Sequence, residues 1–77
     1  DYSWQVATLN GFASQLYQRG EKQKANELLK RSRNLVAQIS DLQEKIPALL
    51  HLATTYEGTD QSNEAIAIAQ QIQQFPT

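Results

Sequence analysis

A chain of 77 residues, 40% apolar and 19% charged, with a mean hydropathy of −0.55, is bounded to one small-cored domain and lies outside the composition of disordered segments. It holds no cysteine, which excludes a disulfide framework and thiolate metal ligation, and its longest apolar run, "IPALLHLA", falls well short of the ~18 residues of a membrane-spanning helix. The net charge of −1 is unevenly spread: Arg19 to Arg33 carries six basic residues against two acidic ones, whereas one basic residue stands against five acidic ones from Asn34 onward.

A solvated helix face accounts for the basic stretch. A nucleic-acid or anionic-lipid surface is the weaker reading, because no aromatic residue interleaves the cluster and the pI is 5.7. The chain starts at Asp1 and nothing in it resembles a signal peptide, so it reads as a segment of a longer protein with the cytoplasm as default compartment.

In residues 3–18, Val6, Leu9, Phe12, Ala13 and Leu16 recur at spacings of three and four, one stripe of a first helix. Gly20 follows and, lacking a Cβ, can take the left-handed conformation that ends a helix. Residues 21–39 resume the pattern with Ala25, Leu28, Leu29, Ser32, Leu35, Val36 and Ile39, a second helix. "SDLQEK" then sets Asp41 three residues before Glu44, a capping box that starts a third helix near Leu42 and carries it through Leu49, Leu52, Ala53 and Tyr56. Pro47 has no N–H to donate and its ring crowds the preceding turn, so a kink or a late start is expected. "EGTDQSN" reads as a turn, with Gly58 at the break and Asp60 or Ser62 as the next cap. The fourth helix is "EAIAIAQQIQQF", residues 64–75, closed by Pro76. Its Ala65, Ile66, Ile68, Ala69 and Ile72 cover more than one narrow stripe, and part of that surface requires a neighbour.

Laying the chain over itself brings Leu9 onto Leu49, Phe12 onto Leu52, Ala13 onto Ala53, Leu16 onto Tyr56 and Ala25 onto Ala65, at a constant offset of 40. The chain therefore divides into repeat one, 3–40, and repeat two, 41–76, each a helix-turn-helix unit whose short turn makes its helices antiparallel. Leu9, Ala13, Leu16, Gly20, Ala25 and Ser32, with Leu49, Ala53, Tyr56 and Ala65, resemble the pattern of the tetratricopeptide repeat (TPR). The 40-residue period exceeds that family's usual roughly 34 and is similar to the longer kinesin light chain variant. Asp60 stands where the second turn would hold glycine, and Ile72 where a small residue is usual.

The resemblance implies an all-α fold of two TPR-like units forming a short right-handed α-solenoid. It also implies a non-catalytic protein-interaction function, a partner peptide or helix lying in a concave groove lined by the first helix of each unit. The groove positions it carries over are Ala7, Asn10, Ser14 and Tyr17, then Pro47, Leu50, His51, Thr54 and Glu57. Each has a plainer reading: Asn10 can face solvent or bond a neighbouring helix, Tyr17 can cover a helix end, and His51, the single histidine, is a structural or surface residue because no second ligand stands at metal spacing. Trp4 is expected to pack at the end of the first helix pair or to face a partner. The alternative function is a structural spacer or self-assembly element, using Ile66, Ile68 and Ile72 on the apolar arc of the last helix. Without a phosphate loop or nucleophile motif, no catalytic residue, metal or cofactor is expected, and the expected partner is a protein or peptide, a neighbouring repeat or a second copy.

Overall fold

Four amphipathic stretches separated by three breaks become, in a computed structural model that describes residues 2–76, the helices α1 (Tyr2–Gln18), α2 (Lys22–Gln38), α3 (Leu42–Gly58) and α4 (Ser62–Gln73), with no strand among the described residues. α1 packs along α2 and α3 along α4, α3 also lies against α1 and α2, and α4, packed on α3, meets α2 through side chains such as Arg33 and Glu64. The core runs through all four, with Val6 and Ala13 from α1, Ala25, Leu29 and Val36 from α2, Leu49 and Leu52 from α3, and Ile68 from α4. Alanines at Ala13, Ala25 and Ala65 let paired helices approach closely, while each fully buried Leu or Ile contributes roughly 1.5–3 kcal/mol of transfer free energy.

The inner stripe of α1 is rotated from the one the apolar residues suggest. Val6, Asn10 and Ala13 are its buried positions, and Phe12 is 56% exposed on another side. Trp4 is exposed too, rather than seated at the end of the α1–α2 pair. An asparagine has thus taken a core position that composition alone assigns to the surface.

The breaks are built alike. After α1 the N–H of Glu21 donates to the carbonyl of Leu16 at 2.9 Å and that of Gly20 to Tyr17 at 3.0 Å. After α3, Gln61 donates to Tyr56 at 2.8 Å and Asp60 to Glu57 at 3.3 Å. Both are the Schellman arrangement that satisfies the last carbonyls of a helix, with the left-handed residue at Gly20 (φ 87°) and Asp60 (φ 57°). The second turn therefore pivots on Asp60 and not on the expected Gly58, which ends α3 itself. Aspartate is one of the few side chains that tolerates this region. Neither Asp60 nor Ser62 caps α4, whose N-cap is Gln61 without a side-chain bond. Helix starts, turn hydrogen bonds and the left-handed residue all recur at 40 residues.

At the start of α3 the Asp41 carboxylate accepts from the Gln43 N–H at 3.0 Å, as a cap should. The reciprocal half of the capping box is not made, since Glu44 forms no side-chain hydrogen bond among the described contacts. α3 begins at Leu42 and continues through Pro47 without a break. The proline is exposed and so is Gln43, whose carbonyl loses its donor at that position, so solvent can satisfy what the helix cannot.

Candidate interaction surface

Where α3 lies against α1 and α2, three polar side chains meet. Ser32 Oγ donates to Asn10 Oδ1 at 2.7 Å, and Asn10 Nδ2 lies 2.8 Å from His51 Nδ1. An amide NH₂ can only donate, so Nδ1 of His51 accepts and the ring carries its proton on Nε2. Asn10 and Ser32 are both 0% exposed, and every buried side-chain polar atom among the described residues has a partner. A satisfied buried network of this kind fixes the register of three helices, because any slip leaves a desolvated polar group unpaired.

Three further ties cross between the two halves of the chain. The Tyr17 hydroxyl donates to Asp60 Oδ2 at 2.8 Å, and this bond, reinforced by the carboxylate's charge, raises the phenol's pKa above its ordinary 10. The Lys22 ammonium lies over the same ring at 5.4 Å from its centre. Gln61 Nε2 donates to Asn26 Oδ1 at 3.0 Å, and the Arg33 guanidinium donates to Glu64 at 2.7 Å while lying 5.9 Å from the centre of the Tyr56 ring. The Glu64 bond is what chiefly raises the Arg33 pKa; burial raises that of Tyr56, against the opposing pull of Arg33. These groups edge a polar cleft of about 600 Å³ bounded by Gln23, Asn26, Lys30, Arg33, Tyr56 and Glu64. Of its two cations, Lys30 and Arg33, the second is already bound to a carboxylate.

On α3 and α4 a second, apolar cleft is open to solvent, lined by Ala53, Thr54, Glu57, Ala65, Ile66 and Ala69. Ile66 is 54% exposed there.

The residues assigned to the concave groove therefore separate. Asn10 is wholly buried and has no surface to offer a partner, because its amide is spent on Ser32 and His51. His51 and Tyr17 keep part of their surface while tied into the contact between the halves. Ser14 is half-buried and Leu50 exposed, and Thr54 and Glu57 sit in the α3–α4 cleft, Thr54 donating to the Leu50 carbonyl at 2.9 Å. Of the three isoleucines assigned to an assembly surface, Ile68 is 1% exposed and belongs to the core, and Ile72 packs half-buried against it, which leaves Ile66 open. Arg33, Glu64, Asn26 and Gln61 were not singled out by sequence reasoning, since their partners stand 31 and 35 residues away and no local spacing marks them.

No group of acidic or histidine residues able to hold a metal ion occurs among the described residues, and no described helix is long and apolar enough to cross a membrane. Comparison with protein-family models, with curated proteins and with solved structures gives no match.

Proposed function

We propose that the chain is a non-catalytic helical-repeat interaction module of the tetratricopeptide-like kind, two helix-turn-helix units stacked as a short α-solenoid, which binds a peptide or helix of a protein partner along α1 and α3. The observation that supports this reading is the recurrence of helix starts, Schellman turns and left-handed residues at 40 residues. A stack of such units buries one face of each against the next and leaves the other face of its first helices free. Ser14 on α1 and the exposed His51 on α3 stand on that face, with Pro47, also exposed, one turn before His51. Asn10 acts beneath them as a positioning residue.

The test is selection of peptides by display on the purified chain, with affinity then measured in solution. Ser14→Arg puts a long charged side chain across that face and weakens a selected peptide about tenfold or more, Pro47→Glu weakens it as well, and Phe12→Glu does not. Peptides indifferent to both groove changes, or no selected peptide, would refute the reading.

A further inference from the structure

Set in register at 40 residues, the two helix pairs differ systematically in what they bury. Along α3, Ala48, Leu49, Leu52 and Thr55 are buried, whereas their counterparts on α1, namely Thr8, Leu9, Phe12 and Gln15, are half-buried or exposed. Leu52 is 0% exposed against 56% for Phe12. In the other direction Asn10, Ala13, Leu29 and Ser32 are buried, whereas Leu50, Ala53, Ala69 and Ile72 are wholly or partly open. One arrangement explains both lists: among the described residues α3 lies on α1 and α2, whereas the outer sides of α1 and of the α3–α4 pair are covered by no helix. The chain carries the two unmatched halves of the joint that it makes once internally.

We propose that the apolar cleft between α3 and α4 receives α1 of a second copy of this chain, with Phe12, the exposed counterpart of the fully buried Leu52, entering it. The entering side chain is larger, Phe12 for Leu52, and Ala69 in place of Leu29 makes room for it, while Ile66 in place of Asn26 gives the cleft an apolar wall. The halves fit in polarity as well. Asn10 meets His51 in the internal joint, and the corresponding residues between copies are Leu50 and Gly11, so both polar partners are absent together and no buried amide or imidazole is left unpaired. Ser32, the third member of the internal network, is matched by apolar Ile72. Such a contact joins unlike faces and leaves one of each free, so it propagates instead of closing into a symmetric pair.

The experiment is the solution mass of the chain by light scattering over a dilution series, with helicity followed by circular dichroism, for the wild type, Phe12→Glu, Ile66→Glu and an equimolar mixture of the two variants. Both substituted residues are more than half exposed, so the fold is retained. Expected are a wild-type mass that climbs past the dimer with concentration, each variant alone as an 8.7 kDa monomer, and the mixture as a one-to-one dimer, since Phe12→Glu keeps an intact cleft and Ile66→Glu an intact α1. Should Ile66→Glu lose helicity, Ala69→Arg carries the same test. A wild type that stays monomeric assigns the cleft to another occupant and overturns the proposal, as does a wild type that stops at a dimer or a mixture in which the variants fail to pair.

Discussion

Asn10→Ala is the most informative single perturbation of this fold. The change removes two side-chain hydrogen bonds, at 2.7 Å to Ser32 and 2.8 Å to His51, each worth about 1 kcal/mol net. It also strands the Ser32 hydroxyl, which is 0% exposed, at a desolvation cost of roughly 1–3 kcal/mol. Allowing for overlap between these contributions, a loss of about 2–4 kcal/mol is expected, a large share of the ~4–11 kcal/mol that a chain of 77 residues typically holds. Urea unfolding followed by circular dichroism measures it directly. A double-mutant cycle with Ser32→Ala then separates the network from simple loss of volume: coupling of about 1 kcal/mol or more is expected, because the second substitution removes the group that the first one orphans. The variant Asn10→Leu with Ser32→Ala should recover much of the loss, since Leu50 and Ile72 already stand at the corresponding places of the second half. A loss below about 1 kcal/mol for Asn10→Ala, or strict additivity in the cycle, would sink the argument that these groups act as a unit.

Gly20→Ala should destabilise by about 1–2 kcal/mol, entirely through the left-handed backbone, because a Cβ at Gly20 meets nothing within 4 Å; thermal unfolding reads it. At the corresponding turn Asp60→Asn should be nearly neutral, as asparagine tolerates the same φ and keeps an acceptor for Tyr17, whereas Asp60→Ala loses both. Pro47→Ala restores a backbone donor inside α3 and should raise stability by about 1–3 kcal/mol in urea unfolding. The raised pKa values of Tyr17 and Tyr56 mean that folding favours their neutral phenols: their contribution is whole below pH 10, where the unfolded chain begins to ionise, and is lost as pH rises through the higher folded values. Stability should therefore fall on the alkaline side, and Tyr17→Phe combined with Tyr56→Phe should flatten that fall; an unchanged alkaline slope would contradict it.

The helices were legible because their signals are local. Apolar residues at three and four, Asp41 before Leu42 and the register of Leu9 on Leu49 all mark elements that lie where the pattern puts them. At the turn after α3 residue preference points to Gly58 and the register with Gly20 points to Asp60, which is the left-handed residue. In that conflict the geometry of the repeated turn outweighs a preference worth only about 1 kcal/mol. Polarity alone leaves Asn10 open between a solvent-facing amide and one bonded to a neighbouring helix, yet Val6, Asn10, Ala13 and Tyr17 are spaced four, three and four apart, an inner stripe with one polar member. That spacing, with Ser32 the one polar side chain among the positions that pattern α2, was the available sign. Ile68 could not be told from Ile66 by composition, since both are isoleucines two residues apart and only the packing of α4 on α3 separates a 1% from a 54% exposed side chain.

The contrast between the joint the chain makes and the face it leaves open has a physical reason. Apolar side chains alone tolerate sliding, because a helix shifted by a turn still buries much of its surface, whereas a shift that parts Asn10 from Ser32 leaves two desolvated groups at roughly 1–3 kcal/mol each. Polarity at Asn10, Ser32 and His51 thus specifies one placement of α3 on α1 and α2. At the corresponding positions of the α3–α4 face the same residue types would be hydrated in the free chain, and any occupant would have to strip that water before gaining a bond. Leu50 and Ile72 carry no such cost. The face is therefore suited to an apolar knob that enters and leaves, and Leu50→Asn, by restoring the polar group without its histidine partner, should weaken whatever lies there more than Leu50→Ala does. Equal effects of the two substitutions would show that burial area, and not the absence of polar groups, governs that face.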